Sequence, residues 1–257
     1  MRPQGPKHAP VATLAIAALA VAGCSAVAGS QGKAPARHTV VVLAASSLTE
    51  SLTAIAGDFE ASHPGTDVQL SFAASSTVVT QVNQGAPADL IALAGTSSMA
   101  PLEKSRIFKD GVRSMAANIL EIATPASNPG KVYTLADLSG PTLQVVLCAV
   151  TVPCGEAAAK TLIAAGVQAH VVSYETDVKA TLAKVQLGEA DAAIVYHSDV
   201  VSAGKRVHGV EIPTTVNQKL DYPLIRLTSD PTAAEFMTYV VSDQGRKRLR
   251  EHGFLTP

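Results

Sequence analysis

Val40 to Glu50 constrains this chain more than any other stretch. Val40-Val41-Val42-Leu43 is a run of β-branched and apolar residues, the pattern of a strand buried on both faces. Ala44-Ala45-Ser46-Ser47 follows, and Leu48, Leu52, Ile55, Ala56 and Phe59 then recur at helical spacing. A strand therefore turns on small residues directly into a helix over 48–62, stopped by His63-Pro64-Gly65. The first N–H groups of a helix lack intrahelical partners and sit at the positive end of its dipole, so such a junction can hold an anion. Ser46 or Ser47 either caps the helix or donates to a ligand.

The same construction recurs. Residues 68–72 alternate as a strand, Ala73-Ala74-Ser75-Ser76 follows, and Val78, Val79 and Val82 begin a helix ending near Gly85. A buried strand over 90–93 precedes a helix around 97–105. Residues 118–124 read as a strand crossing between domains, and 134–138 as a short helix. The strand 143–147 runs through Cys148 to Gly155 into a helix over 156–165. A fourth junction leads from the strand 171–174 into a helix over 178–187, with Thr176 or Asp177 as cap. Ala190 to Tyr196 is a strand ending in tyrosine. A helix over 198–204 then returns to the first domain, followed by strands at 207–212 and 224–227 and helices at 231–241 and 244–252.

Strands alternating with helices make an α/β fold with parallel sheets, in which ligands sit beyond the carboxyl ends of the strands. Lys and Arg are absent from 40–48, 70–80, 148–156 and 190–199, and Lys179, just inside the fourth helix, is read as pointing away. The residues thus describe an anion site built from N–H and O–H groups alone.

The 257 residues suffice for one large or two modest domains. With no Trp and only 4% aromatics against 47% apolar residues, the core must rest on Ala, Val, Leu and Ile. A net charge of −1 gives no basic footprint for nucleic acid. Arg2, Lys7 and His8 precede an apolar run over 11–22 that is too short to span a membrane and fits a signal peptide over 1–23. Val21-Ala22-Gly23-Cys24 resembles the cleavage motif of bacterial lipoproteins, which makes Cys24 the acylated first residue. Cleavage leaves 18 basic and 21 acidic side chains. Residues 24–38, small, polar and Pro/Gly-containing, read as a flexible tether. In an exported chain Cys148 and Cys154 read as a disulfide. A metal pair would need further ligands at suitable spacing, and the separation is not that of a redox C-x-x-C motif.

Five segments, in order, resemble the substrate-binding proteins of molybdate ABC transporters: Ala44-Ala45-Ser46-Ser47-Leu48, Phe72-Ala73-Ala74-Ser75-Ser76-Thr77, Gly85-Ala86-Pro87-Ala88-Asp89-Leu90, Val152-Pro153-Cys154-Gly155 and Ile194-Val195-Tyr196-His197-Ser198-Asp199. The resemblance runs from about 39 to 254. It implies a two-lobe type II periplasmic-binding fold, each lobe a mostly parallel sheet flanked by helices, with the ligand cleft between. Lobe I would be 39–118 plus 199–257, and lobe II 119–198. It implies an oxyanion, molybdate or tungstate, held by Ser47, Ser75, Cys154, Val178 and Tyr196, with Ser46 a neighbouring candidate and Cys154 standing where the family often has Ala. No cofactor and no metal cation are implied; molybdenum arrives as the oxyanion. The partners implied are membrane permease subunits, with the chain a monomer held on the outer face of the cell membrane by its lipid.

Other readings remain. Sulfate fits an all-neutral cage as a full dianion, whereas protonated phosphate would benefit from a carboxylate acceptor. Asp89 reads as a turn residue, since a carboxylate repels an anion, and His197 as structural. An enzyme would use the serines as nucleophiles, but no G-x-S-x-G elbow is present. A structural lipoprotein without a ligand is the remaining alternative.

Overall fold

The computed structural model describes residues 38–107 and 111–256. The signal peptide, Cys24 and all of the tether except His38 lie outside the described residues. In chain order the elements are β1 (His38–Ala45), α1 (Thr49–Ser62), β2 (Thr66–Ala73), α2 (Ser75–Asn83), β3 (Leu90–Ala92), β4 (Val112–Pro125), β5 (Val145–Cys148), α3 (Pro153–Ala165), β6 (Val171–Glu175), α4 (Val178–Gln186), β7 (Ala192–Tyr196), α5 (His197–Ala203), β8 (Val207–Glu211), β9 (Lys219–Arg226), α6 (Pro231–Val240) and α7 (Asp243–Glu251). A 3₁₀ turn, Ser46–Leu48, joins β1 to α1.

The strand order is β2-β1-β3-β9-β4-β7-β5-β6, with β8 also on β4. β1 pairs in parallel with β2 and β3, and β5 in parallel with β6 and β7. Between these trios run antiparallel strands, so each half is mixed. β4 belongs to both halves. Its residues from Val112 to Ile119 pair with β9, and Leu120 to Ala123 pair with β7. The crossing strand predicted at 118–124 thus begins earlier, at Val112.

Helices cover both faces of the first trio. Leu43 of β1 joins a cluster with Val78, Val79 and Val82 of α2, while Val40, Val42 and Ala44 face a larger core with Leu52, Ile55 and Phe59 of α1. This alternation is the period-2 geometry of a strand buried on both sides. Phe59 is fully buried and packs edge-on against Phe236 and Tyr239, at 5.1 and 5.4 Å between ring centroids.

Three expectations differ from the structure. The helix around 97–105 is instead two 3₁₀ turns, Thr96–Met99 and Lys104–Arg106. Pro101 lies between them and has no N–H to continue a helix. The strand placed at 224–227 begins at Lys219 and passes through Pro223, which faces Ser114 where the β4 register shifts, so the missing N–H falls at an irregularity. Residues 199–257 do not all return to the first sheet. β8 pairs with β4 from Glu121 to Pro125, on the edge opposite β7, and the chain rejoins the first sheet only at β9. The intervening α5 has seven residues and advances only about 10 Å.

Candidate anion-binding site

Because β1 and β2 are parallel neighbours, their carboxyl ends lie at one edge, and the same holds for β5, β6 and β7. The segments that follow converge on a pocket with about 210 Å³ of empty space, its mouth included. Ser46 and Ser47 enter from the turn after β1, Ser75 from the start of α2, and Cys154 from the start of α3. Val178 enters from the start of α4, and Tyr196 from the end of β7. The structure therefore brings together Ser47, Ser75, Cys154, Val178 and Tyr196. No Lys, Arg or His lines the pocket.

Each junction leaves a donor facing the wall. Pro153 is the first residue of α3 and has no N–H, so the Cys154 amide is the first donor of that helix. Asp177 caps α4 and accepts from the amides of Lys179 at 2.8 Å and Ala180 at 3.0 Å. The Val178 amide, first in the helix, has no carbonyl one turn back to bond. The Ala94 N–H donates to Ser75 Oγ at 2.8 Å, which leaves the serine proton to be donated elsewhere. Ser47 Oγ is 3.0 Å from the Tyr222 hydroxyl. Tyr196 is 2% exposed and its hydroxyl makes no hydrogen bond of good geometry. Burial pushes that hydroxyl well above the usual tyrosine range, and the neighbouring Tyr222 and Asp199 add to the shift. A buried hydroxyl without a partner is unfavourable, so its place on the wall points to a ligand.

The loop before α3 is tightly built. Cys148 and Cys154 are disulfide-bonded with their Cα atoms 5.8 Å apart. A Cβ on Gly155 would lie 2.0 Å from the Ala149 carbonyl oxygen, so only glycine lets the loop close onto the helix.

Lys179, the cation next in sequence to the pocket residue Val178, is matched by acids. Lys179 Nζ contacts both Glu50 carboxylate oxygens, at 2.9 and 2.8 Å, and Asp199 Oδ1 at 3.1 Å. Burial works to lower the Lys179 pKa, but the two carboxylates outweigh it and hold it above the usual value. Burial pushes Asp199 up to about 6 against the pull of Lys179. This cluster ties α1 to α4 and α5 and leaves the pocket wall without a cation, in keeping with a lysine turned away; the wall does include Asp177, the cap of α4, whose carboxylate accepts from helix amides. His197 Nδ1 pairs with Glu121 Oε2 at 2.5 Å, off the pocket. Asp89 holds strands together, accepting from the Val41 N–H and from the Thr228 hydroxyl, each at 2.9 Å. Among the described residues no group of three or more His, Cys, Asp or Glu is disposed to hold a metal cation.

Sequence reasoning missed Tyr222, Asn118 and Ala94. Tyr222 is fully buried, and a buried tyrosine needs a partner for its hydroxyl, which was the available signal. The adjoining Pro223 masked it, because the sequence pattern places the strand only after the proline, at 224–227.

The model for bacterial extracellular solute-binding proteins matches residues 40–255. The molybdate-binding protein ModA of Mycobacterium tuberculosis is 36% identical over 251 residues, covering 96% of each chain. ModA of Escherichia coli is 31% identical over 229 residues, covering 84% of this chain and 88% of its own. Among solved structures, the periplasmic molybdate-binding protein of Azotobacter vinelandii superposes with a TM-score of 0.75 at 20% identity, covering 85% of this chain and 99% of its own. The sulfate-binding protein SubI of M. tuberculosis gives 0.73 at 21% identity, covering 84% of this chain and 86% of its own. At such identities the superpositions establish the type II periplasmic-binding fold. With the fold, the junction geometry and these relatives in agreement, the chain belongs to the bacterial extracellular solute-binding protein family, alongside the ModA proteins.

Proposed function

We propose that this chain is the receptor of an ABC importer, that it captures molybdate and also tungstate, and that it delivers the oxyanion to permease subunits in the membrane. One observation carries the reading. Five junctions aim N–H and O–H donors at a small pocket that has no cation in its wall and a buried, unpartnered tyrosine hydroxyl. Such a cage suits a tetrahedral dianion, each oxygen of which accepts hydrogen bonds. In this reading the hydroxyls of Ser47, Ser75 and Tyr196 and the amides of Cys154 and Val178 hold the oxygens. The ModA relatives, named for molybdate binding, support the choice of ion.

The two halves that meet at β4 act as the lobes, 39–118 with 199–257 and 119–198, except that β8 stays with the second. The protein binds and releases its ligand unchanged, as a monomer, with no cofactor and no resident metal cation. Among the described residues no helix is long and apolar enough to cross a membrane. Attachment to the outer face of the membrane is assigned to acylation at Cys24, motivated by Val21-Ala22-Gly23-Cys24. Mass spectrometry of membrane-extracted protein tests this, and a mature chain starting at another residue would contradict it. Calorimetric titration with molybdate, tungstate, sulfate and phosphate tests the ligand. Tightest binding of molybdate and tungstate is expected, and a preference for sulfate would overturn the assignment.

A further inference from the structure

Ser47 Oγ and the Tyr222 hydroxyl are 3.0 Å apart, and either oxygen can be the donor. The direction is set further back. The Ile119 N–H, which can only donate, is 3.0 Å from Asn118 Oδ1. That bond orients the Asn118 amide, whose nitrogen lies 2.7 Å from Ser198 Oγ and 3.5 Å from the Tyr222 hydroxyl. An amide nitrogen offers only donors. The Tyr222 oxygen therefore accepts from Asn118, and its single proton is free for Ser47 Oγ. Ser47, having accepted, keeps its own proton for the pocket it lines.

We propose that Asn118 and Tyr222 are positioning residues that hold Ser47 as an obligate donor, so that the site prefers oxyanions carrying no proton. The inference deepens the receptor reading and rests on it. Asn118, Tyr222, Ser198 and Ser47 are all at most 3% exposed, so bulk water does not compete for these bonds. The reverse direction would turn the lone pairs of Ser47 toward a dianion and repel it. Ser75 is fixed in the same sense by the Ala94 N–H. In two of the cage's hydroxyls, then, one lone pair is already engaged by the protein and the proton is left for the ligand, so each is set to meet an unprotonated oxygen.

Near neutral pH molybdate carries no proton, whereas hydrogen phosphate does. Both anions are titrated, phosphate by displacement of molybdate, against the wild-type protein, Tyr222→Phe, Ser47→Ala and the double variant. Tyr222→Phe should weaken molybdate about tenfold, the worth of one buried hydrogen bond. It should weaken hydrogen phosphate less, because a released Ser47 can accept as well as donate. In the Ser47→Ala background, Tyr222→Phe should have no further effect. Should Tyr222→Phe fail to fold, Asn118→Asp serves instead: it puts an acceptor opposite Tyr222, draws its proton away from Ser47, and should narrow the same preference. Equal weakening of both anions, or a Tyr222→Phe effect that persists without Ser47, would overturn the inference while leaving the receptor reading intact. Failure of the wild-type protein to bind molybdate would overturn the receptor reading and this inference with it.

Discussion

Tyr196→Phe separates a ligand from a core residue because the two roles predict opposite signs in the free protein. The ring is fully buried and lies edge-on to Tyr222, with centroids 6.1 Å apart. The hydroxyl has no well-formed partner and opens on the pocket. In the unliganded protein it is desolvated without return, at a cost of about 1–3 kcal/mol. A bound dianion converts it into a charge-assisted hydrogen bond worth about 1.5–3 kcal/mol. Removing it should therefore weaken molybdate binding by roughly 10- to 150-fold. The free protein should melt at the wild-type temperature or above it, since phenylalanine keeps the ring and drops an unsatisfied polar atom. Calorimetric titration and unliganded thermal melting of one purified variant measure both quantities. Wild-type affinity combined with a lowered melting temperature would refute the reasoning and return Tyr196 to the core.

Three further outcomes are expected. Replacing Cys148 and Cys154 together with serine, or reducing the bond, should cost about 2 kcal/mol of stability, the low end for disulfides because the loop is short, and should weaken molybdate by loosening the Cys154 amide; unchanged affinity after reduction would mean that the bond does not shape the site. Glu50→Gln breaks a partly exposed pair that joins α1 to α4 beside the pocket and should weaken molybdate two- to fivefold, the worth of about 0.5–1 kcal/mol once screened; a lower unliganded melting temperature at wild-type affinity would make it a support of the fold alone. His197 is held above its ordinary value of 6.5 by its hydrogen bond to Glu121, against burial, so its charge-dependent stabilisation is present below that value and fades as pH rises through the raised one; the stability lost in His197→Gln should thus be larger near about pH 5.5 than near about pH 8.5, and a pH-independent loss in chemical denaturation would refute it.

The junctions were legible because each is local. β-branched runs, small residues and helical periodicity are contiguous in the chain, so Ser47, Ser75, Cys154 and Val178 follow from short motifs once a family resemblance orders them. The surroundings were not legible, because they depend on pairing between distant segments. Lys179 faces Glu50 from 129 residues away, and nothing beside Lys179 announces it. Tyr222 reaches Ser47 across 175 residues, on a strand that passes through a proline only because β4 shifts register opposite it. The helix expected around 97–105 failed for the contrary reason: a local pattern looked helical, and one proline divided it. β8 shows that chain order does not reveal which sheet claims a strand.

The cation-free wall has a kinetic consequence. Dipolar donors act over a few ångströms, and the Lys179 cation is matched by carboxylates, so the pocket projects little field into solvent to draw in a dianion. Association should proceed without electrostatic steering and respond weakly to ionic strength. Differences between one oxyanion and another should then appear almost wholly in how slowly each escapes, which makes residence time the property on which discrimination in this protein rests.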